Sequence, residues 1–245
     1  MQPDEARARL AGLGFAAGDV ETLFAHFDDA ERRGKLGHGH ARIEWLATQA
    51  LRPDAVPERR PADGALTRWE SHGAVGYLVL AAIVRDLLER PPRPVRVVVA
   101  DAFPSGHLGY WVRQLAEAGL VVVLTATSPA RLAHPAGGEP VVGTNPLAIA
   151  LPGTDAAQPI VVDVSMAKAT YGDVVAGRAR SEDVVPFGGE QAHKAFALAL
   201  GFQGLVEAFV GERYGIVLVV AQPTDAAVGE RLRARAAGLR LPGDA

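Results

Sequence analysis

Val95-Arg96-Val97-Val98-Val99-Ala100-Asp101 and Leu120-Val121-Val122-Val123-Leu124-Thr125 are two short runs of mainly β-branched residues. Their length and composition read as buried strands. Between them, Tyr110 to Ala118 carries the spacing of a helix. Further apolar runs at Ile160 to Val164 and Ile216 to Val220, and helical patterns at Gly76 to Leu88 and 192–210, extend the alternation. Strand and helix in turn predict an α/β layer fold. Leu66 to Glu70 adds a short strand, and residues 177–186 form a polar turn or exposed loop.

Upstream the texture is helical. Val20, Leu23, Phe24 and Phe27 recur at helical spacing, with Asp19 where an N-cap belongs. Gly34, Gly37 and Gly39 break the pattern, and a second helix starts near His40 with Ile43, Leu46 and Ala47 on one face. Pro53, Pro57, Pro61 and Gly64 mark 52–64 as a linker. The expected organisation is a helical N-terminal lobe with linker (1–64), an α/β cofactor-binding core (65–221), and a C-terminal helix and tail (222–245). The last contains a charged helix from Glu230 to Arg240.

The 245 residues are 49% apolar and 22% charged, which supplies a full hydrophobic core. A net charge of −3 lacks the basic footprint of a nucleic-acid binder. With no cysteine, disulfides, zinc–thiolate sites and a thiol nucleophile are excluded. The start, Met1-Gln2-Pro3-Asp4-Glu5, lacks signal-peptide character, and the longest apolar run, Val75 to Val84, is too short to span a bilayer. The expectation is a cytoplasmic protein without a membrane or nucleic-acid partner.

Four pieces carry chemistry. Arg33-Gly34-Lys35-Leu36-Gly37-His38-Gly39-His40-Ala41-Arg42 comes first, and Gly143-Thr144-Asn145-Pro146-Leu147-Ala148 second. Asp163-Val164-Ser165 follows a strand, and Pro186-Phe187-Gly188-Gly189 precedes His193-Lys194. In this order and spacing they resemble the malate/L-lactate dehydrogenase family, which includes ureidoglycolate dehydrogenase and Δ1-piperideine-2-carboxylate reductases. The resemblance runs from the first long helix to the tail. It implies a non-Rossmann α/β fold, with a helical N-terminal lobe and a mixed-sheet core. It also implies NADPH or NADH lying between lobes, and a homodimer. Consistent with this, no G-x-G-x-x-G follows a strand.

Carried over residue by residue, the resemblance makes His38 the catalytic proton donor and Arg42 the grip on a substrate carboxylate. Residues four apart at a helix start share a face. Imidazole chemistry suits proton delivery to the heteroatom that hydride addition leaves negative. A guanidinium holds a carboxylate through two parallel hydrogen bonds. The plainer reading is a surface Gly/His turn with a solvated Arg42. Thr144 and Asn145 are expected to bind substrate through a hydroxyl and an amide; the plainer alternative is an Asn-Pro turn.

For the cofactor, the loop Ser105-Gly106-His107-Leu108 offers backbone N–H groups to an anion. His107 can also be an ordinary helix-start residue. Asp163, Val164 and Ser165 are placed to meet ribose, or Ser165 to cap a helix. Gly188 and Gly189 let backbone approach a pyrophosphate, with His193 and Lys194 behind them. The alternative there is a capped core helix with a solvated Lys194. No metal ligand set is expected.

The sequence departs from the family at several points. Gly37 stands where the family has a serine that orients the histidine, and Leu36 replaces an acidic residue. The family's loop histidine falls on Pro104. Glu190-Gln191-Ala192 separate the glycine pair from Lys194. Ala176-Gly177 leads to Pro186 in a few residues where relatives have a long segment, and the helix that follows Pro242-Gly243 in relatives is expected to be absent. The expected consequence is a more open site or room for a bulkier substrate. Ser71-His72-Gly73 is a decoy lacking the arginine four residues on. Trp45, Trp69 and Trp111 read as packing residues, and Asp28, Asp29 and Glu31 as a solvated helix end. The leading expectation is an NAD(P)H-dependent reductase of a 2-oxo or 2-imino acid. The rival is a non-redox descendant that binds or scaffolds, or uses His38 without cofactor.

Overall fold

The computed structural model describes residues 1–154 and 158–244. Seven strands form one sheet: β1 (Glu58–Arg59), β2 (Leu66–Glu70), β3 (Val95–Asp101), β4 (Val121–Ala126), β5 (Leu147–Leu151), β6 (Ile160–Val164) and β7 (Gly215–Ala221). Their spatial order is β1-β2-β3-β7-β4-β5-β6. Only β2 and β3 pair in parallel; the other neighbours are antiparallel, so the sheet is mixed. The late strand β7 is inserted between β3 and β4. Its unbroken apolar run, GIVLVVA, suits a strand covered on both faces.

Register sorts the side chains. Val98 pairs with Leu218, Leu218 with Leu124, and Leu124 with Ala148. This row points to one face and joins the main core. The neighbouring row puts Val99 and Val217 on the other face, against Val206 and Val210 of a long helix. That alternation is the period-two rule of a strand.

Among the described residues, eight helices flank the sheet: α1 (Pro3–Gly12), α2 (Ala17–Arg32), α3 (Ala41–Leu46), α4 (Gly76–Glu89), α5 (Leu108–Glu117), α6 (Tyr171–Val175), α7 (Ala192–Val210) and α8 (Val228–Arg235). One continuous core joins Leu10, Phe27 and Ile43 of the N-terminal helices to Leu80, Val112 and Leu124. The first 64 residues are thus packed through the same core as the sheet. In α4, Leu80, Ile83 and Leu87 are almost fully buried. Each such side chain contributes about 1.5–3 kcal/mol of burial.

Several boundaries differ from the sequence reading. Helix α1 escapes the periodicity argument because only Ala6 and Leu10 are buried. Asp19 is not the cap of α2: Ala16 is, and Asp19 lies in the first turn, where a carboxylate favours the helix dipole. The tail helix ends at Arg235, short of Arg240, and Gly238 turns the chain at φ +84°. Asp29 is buried and accepts from Arg33 at 3.0 Å, so the acidic end of α2 is not simply solvated.

β3, β4 and β6 run in one direction and β5 in the other. The carboxyl ends of three strands and the amino end of the fourth therefore share one edge of the sheet. In open α/β sheets, ligands bind outside the carboxyl ends of strands.

Candidate active site

A cavity of about 350 Å³ opens at that edge. Its floor comes from the loops after β3, β4 and β6, and its wall from the turn before α3 and from α6. His38, Arg42, Thr144, Ser105, Gly106, His107, Asp163 and Ser165 all line it.

His38 closes a 3-10 turn, Leu36–His38. Two contacts fix this turn. Glu31 accepts the His40 N–H at 2.7 Å. Gly37 presses on the start of α6, where an added Cβ would lie 2.6 Å from Asp173 Oδ1 and 2.7 Å from its backbone nitrogen. A serine at 37 has no room unless α6 moves. The carboxylate of Asp173 occupies that space, and its charge favours protonated His38. The imidazole is nonetheless pushed down to about 4, first by burial and then by Arg42. At neutral pH His38 is an uncharged base.

Arg42 is 6% exposed. Its guanidinium lies 3.9 Å from the Trp45 ring centroid, and Nε and Nη1 are buried with no hydrogen-bond partner among the described residues. Trp45 thus supports a cation as well as packing. A buried cation with two unmet nitrogens is costly unless an anion completes it. The guanidinium fork matches a carboxylate.

The loop after β3 passes under the helical layer through Gly106, whose φ is +69°. A Cβ there would meet the rings of Tyr77 and His26 at 2.3 and 2.5 Å, so only glycine fits. The next residue, His107, donates its backbone N–H to His26 Nε2 at 3.1 Å. Its own Nε2 lies 3.1 Å from Asp163 Oδ2, which also accepts the Gly109 N–H at 2.8 Å. The His38 and His107 rings stack at 6.4 Å with an interplanar angle of 28°.

Burial drives His26 to about 3 and His107 to about 2, helped by mutual repulsion with the neighbouring imidazoles. Burial pushes Asp163 up, opposed by the Gly109 N–H and Lys35. The charged forms of both partners are disfavoured, so a neutral imidazole donating to the Asp163 carboxyl group describes the pair.

Other expected residues are elsewhere. Asn145 is fully buried and does not line this cavity; its amide donates to Ala199 O at 2.9 Å and Gln203 Oε1 at 2.8 Å, tying the turn to α7. Leu108 packs in the core, and Val164 is exposed. Gly188 and Gly189 form a left-handed turn (φ +105° and +56°), and His193 and Lys194 stand exposed on α7. None of these seven lines the cavity. Ser165 does not cap a helix: its Oγ accepts the Ala167 N–H at 3.1 Å, and Thr170 caps α6 instead. The decoy Ser71 hydrogen-bonds Asp101 at 2.6 Å, and His72 pairs with Glu58.

The cavity also contains Lys35, Arg131, Tyr171, Asp173 and Arg178, which carried no role in the sequence reading. One signal was available: Thr170 and Asp173 form a capping box, which marks a helix start beside the polar loop. Glu58, Glu70 and His72 are the one group of metal-ligand type among the described residues. They lie outside the cavity lining, and Arg60 already pairs with both carboxylates.

The family model for malate/L-lactate dehydrogenase matches residues 4–190. A (2R)-3-sulfolactate dehydrogenase (NADP(+)) of Chromohalobacter salexigens is 30% identical over 184 residues, 72% of this chain and 54% of that enzyme. A 2,3-diketo-L-gulonate reductase of Pasteurella multocida is 30% identical over 172 residues, 64% of this chain and 47% of that one. The matched stretch thus spans about half the length of these curated relatives. Among solved structures, the Δ1-piperideine-2-carboxylate reductase of Pseudomonas syringae superposes with a TM-score of 0.79 at 23% identity, covering 99% of this chain and 89% of that one. The malate dehydrogenase of Pyrococcus horikoshii gives 0.81 at 17%, covering 99% and 82%. At these identities the structural likeness speaks for the fold.

Proposed function

The chain belongs to the malate/L-lactate dehydrogenase family, and from that premise we propose that it is an NAD(P)H-dependent reductase of a 2-oxo or 2-imino acid. The observation that carries this reading is the pairing, in one cavity, of the buried Arg42 guanidinium, whose Nε and Nη1 have no hydrogen-bond partner among the described residues, with the imidazole of His38.

The donor set fits both ligands. Arg42 takes the substrate carboxylate, and Thr144 offers a hydroxyl beside it. Ser105 and Gly106, with Asp163 and Ser165 across the cavity, supply the polar and backbone contacts for a nicotinamide nucleotide. When bound, that cofactor supplies the hydride. Binding a carboxylate at Arg42 neutralises the second-largest cause of the depressed His38 basicity. His38 then holds a proton more readily at the substrate heteroatom, with Asp173 as its counter-charge. In the reverse direction, neutral His38 accepts the proton of a hydroxy acid or amine.

His107, held by Asp163, packs against His38 and limits its tilt. The family's loop position is occupied by Pro104, so this contact comes from a different residue. The same reading expects a homodimer, which light scattering of the purified chain checks. It also expects a cytoplasmic location; no helix among the described residues is long and apolar enough to cross a membrane.

The rival, a binding protein without redox activity, draws on one observation: Gly188, Gly189, His193 and Lys194 do not reach the cavity. Titration with NADH and NADPH, followed by nicotinamide fluorescence, separates the two. Saturable binding with a dissociation constant on the order of micromolar supports the reductase. Absence of binding by well-folded protein rejects it.

A further inference from the structure

His26 of α2 is a buried titratable group with no part in the proposed chemistry. It is wholly buried, and its ring packs among Phe27, Tyr77, Tyr110 and Trp111, with centroids 4.9–5.4 Å away. Four aromatic walls suit phenylalanine better than imidazole, because Nδ1 is buried with no hydrogen-bond partner among the described residues. Burial, and then the neighbouring His38, bring its basicity down to about 3, so the ring is uncharged at neutral pH. Its hydrogen bond is at the other nitrogen: Nε2 accepts the His107 N–H at 3.1 Å. The ring proton therefore sits on Nδ1.

The His107 N–H needs that acceptor. His107 is the N-cap of α5, ahead of the first intrahelical hydrogen bonds, and a buried donor left unpaired there is costly. One residue earlier Gly106 turns at φ +69°. Before it, Ser105 O accepts the Trp111 Nε1–H at 2.9 Å. The core thus grips the loop on both sides of its glycine, with Trp111 donating and His26 accepting. Ser105, Gly106 and His107 are the residues this loop brings to the cavity. From this backbone the His107 ring reaches Asp163 at 3.1 Å and stacks on His38 at 6.4 Å.

We propose that His26 is a positioning residue of the active site: by accepting the His107 N–H from the core side, it sets where the loop carries His107 and so how His38 is held. His26 does not line the cavity and acts through His107. Its effect on proton transfer rests on the reductase reading, whereas its grip on the loop does not.

Two substitutions separate this role from core filling. His26→Phe keeps a ring of similar size and removes the acceptor. His26→Gln carries an amide oxygen that can take the place of Nε2, but it fills the aromatic pocket poorly. In the cofactor-free protein, hydrogen exchange of the His107 amide, followed by NMR, should quicken at least about 10-fold in His26→Phe and less in His26→Gln. Single-turnover oxidation of NADPH by a 2-oxo acid should slow by about 10- to 100-fold in His26→Phe and return to within about 3-fold of the parent in His26→Gln. NADPH affinity should stay within about 2-fold in both. Urea midpoints should run the other way, with His26→Phe the more stable of the two. Rates that follow the midpoints, with His26→Gln the slower protein, would make His26 a packing residue and overturn the proposal. So would parental exchange of the His107 amide in His26→Phe. A parent without turnover defeats the reductase reading, and the amide exchange then decides whether His26 holds the loop.

Discussion

At Gly37 one missing side chain decides how His38 is held. The sequence shows a glycine where a serine was expected, and reads it as a loss. In the fold that space belongs to Asp173, which lies 136 positions later in the chain on α6, and no local pattern could reveal this. Gly37→Ser should therefore weaken the α6 contact and lower stability by about 1–3 kcal/mol, measured by urea unfolding, with no gain in turnover. An unchanged midpoint would show that α6 yields freely. Asp173→Asn removes the group that raises His38 basicity, so the acid limb of hydroxy-acid oxidation should move below about 4. A limb moving upward would contradict this. Arg42→Gln should raise KM for the acid by about 10- to 100-fold, as expected for a lost charged hydrogen-bond pair. His38 and Arg42 were singled out through the family resemblance together with their four-residue spacing, and both line the cavity; Arg131 and Arg178, which also line it, carried no such motif.

Elements were easier to read than their roles. The strands β2 and β6 and the helix α7 lie at the bounds read from the sequence, although β6 is buried mainly at its start and α7 buries only five of its 19 residues. Strand β5 was missed, since Leu147 to Leu151 is short and Thr144-Asn145-Pro146 in front of it reads as a turn. That turn shows how one motif divides its labour. Thr144 faces the cavity while Asn145 clamps α7 by two hydrogen bonds. Asn145→Ala should then cost about 1–3 kcal/mol of stability, with KM for substrate within about 2-fold. A large KM effect without destabilisation would return Asn145 to the substrate. The glycine pair before α7 likewise serves a turn at positive φ, and its place in the sequence could not tell whether the turn meets the cavity.

Across the whole molecule, the α/β class was legible from alternating strands and helices, but the insertion of β7 between β3 and β4 was not. It joins strands far apart in sequence, and the cavity exists because β3, β4 and β6 then end on one edge. The same assembly buries the imidazoles of His26 and His107 and half-buries that of His38, and their folded values of about 3, 2 and 4 lie below the ordinary 6.5. The unfolded chain therefore binds more protons than the folded one in this range. Their contribution is intact above pH 6.5 and is lost as pH falls toward 3. Urea midpoints should decline steeply across that window, and a flat profile would show that these rings are hydrated. The account as a whole rests on hydride transfer beside His38, and single-turnover oxidation of bound NADPH by a 2-oxo acid measures it directly. The parent should turn over, and His38→Ala should be slower by about 100- to 10,000-fold with cofactor affinity preserved. Equal rates in the two proteins would remove His38 from the reaction.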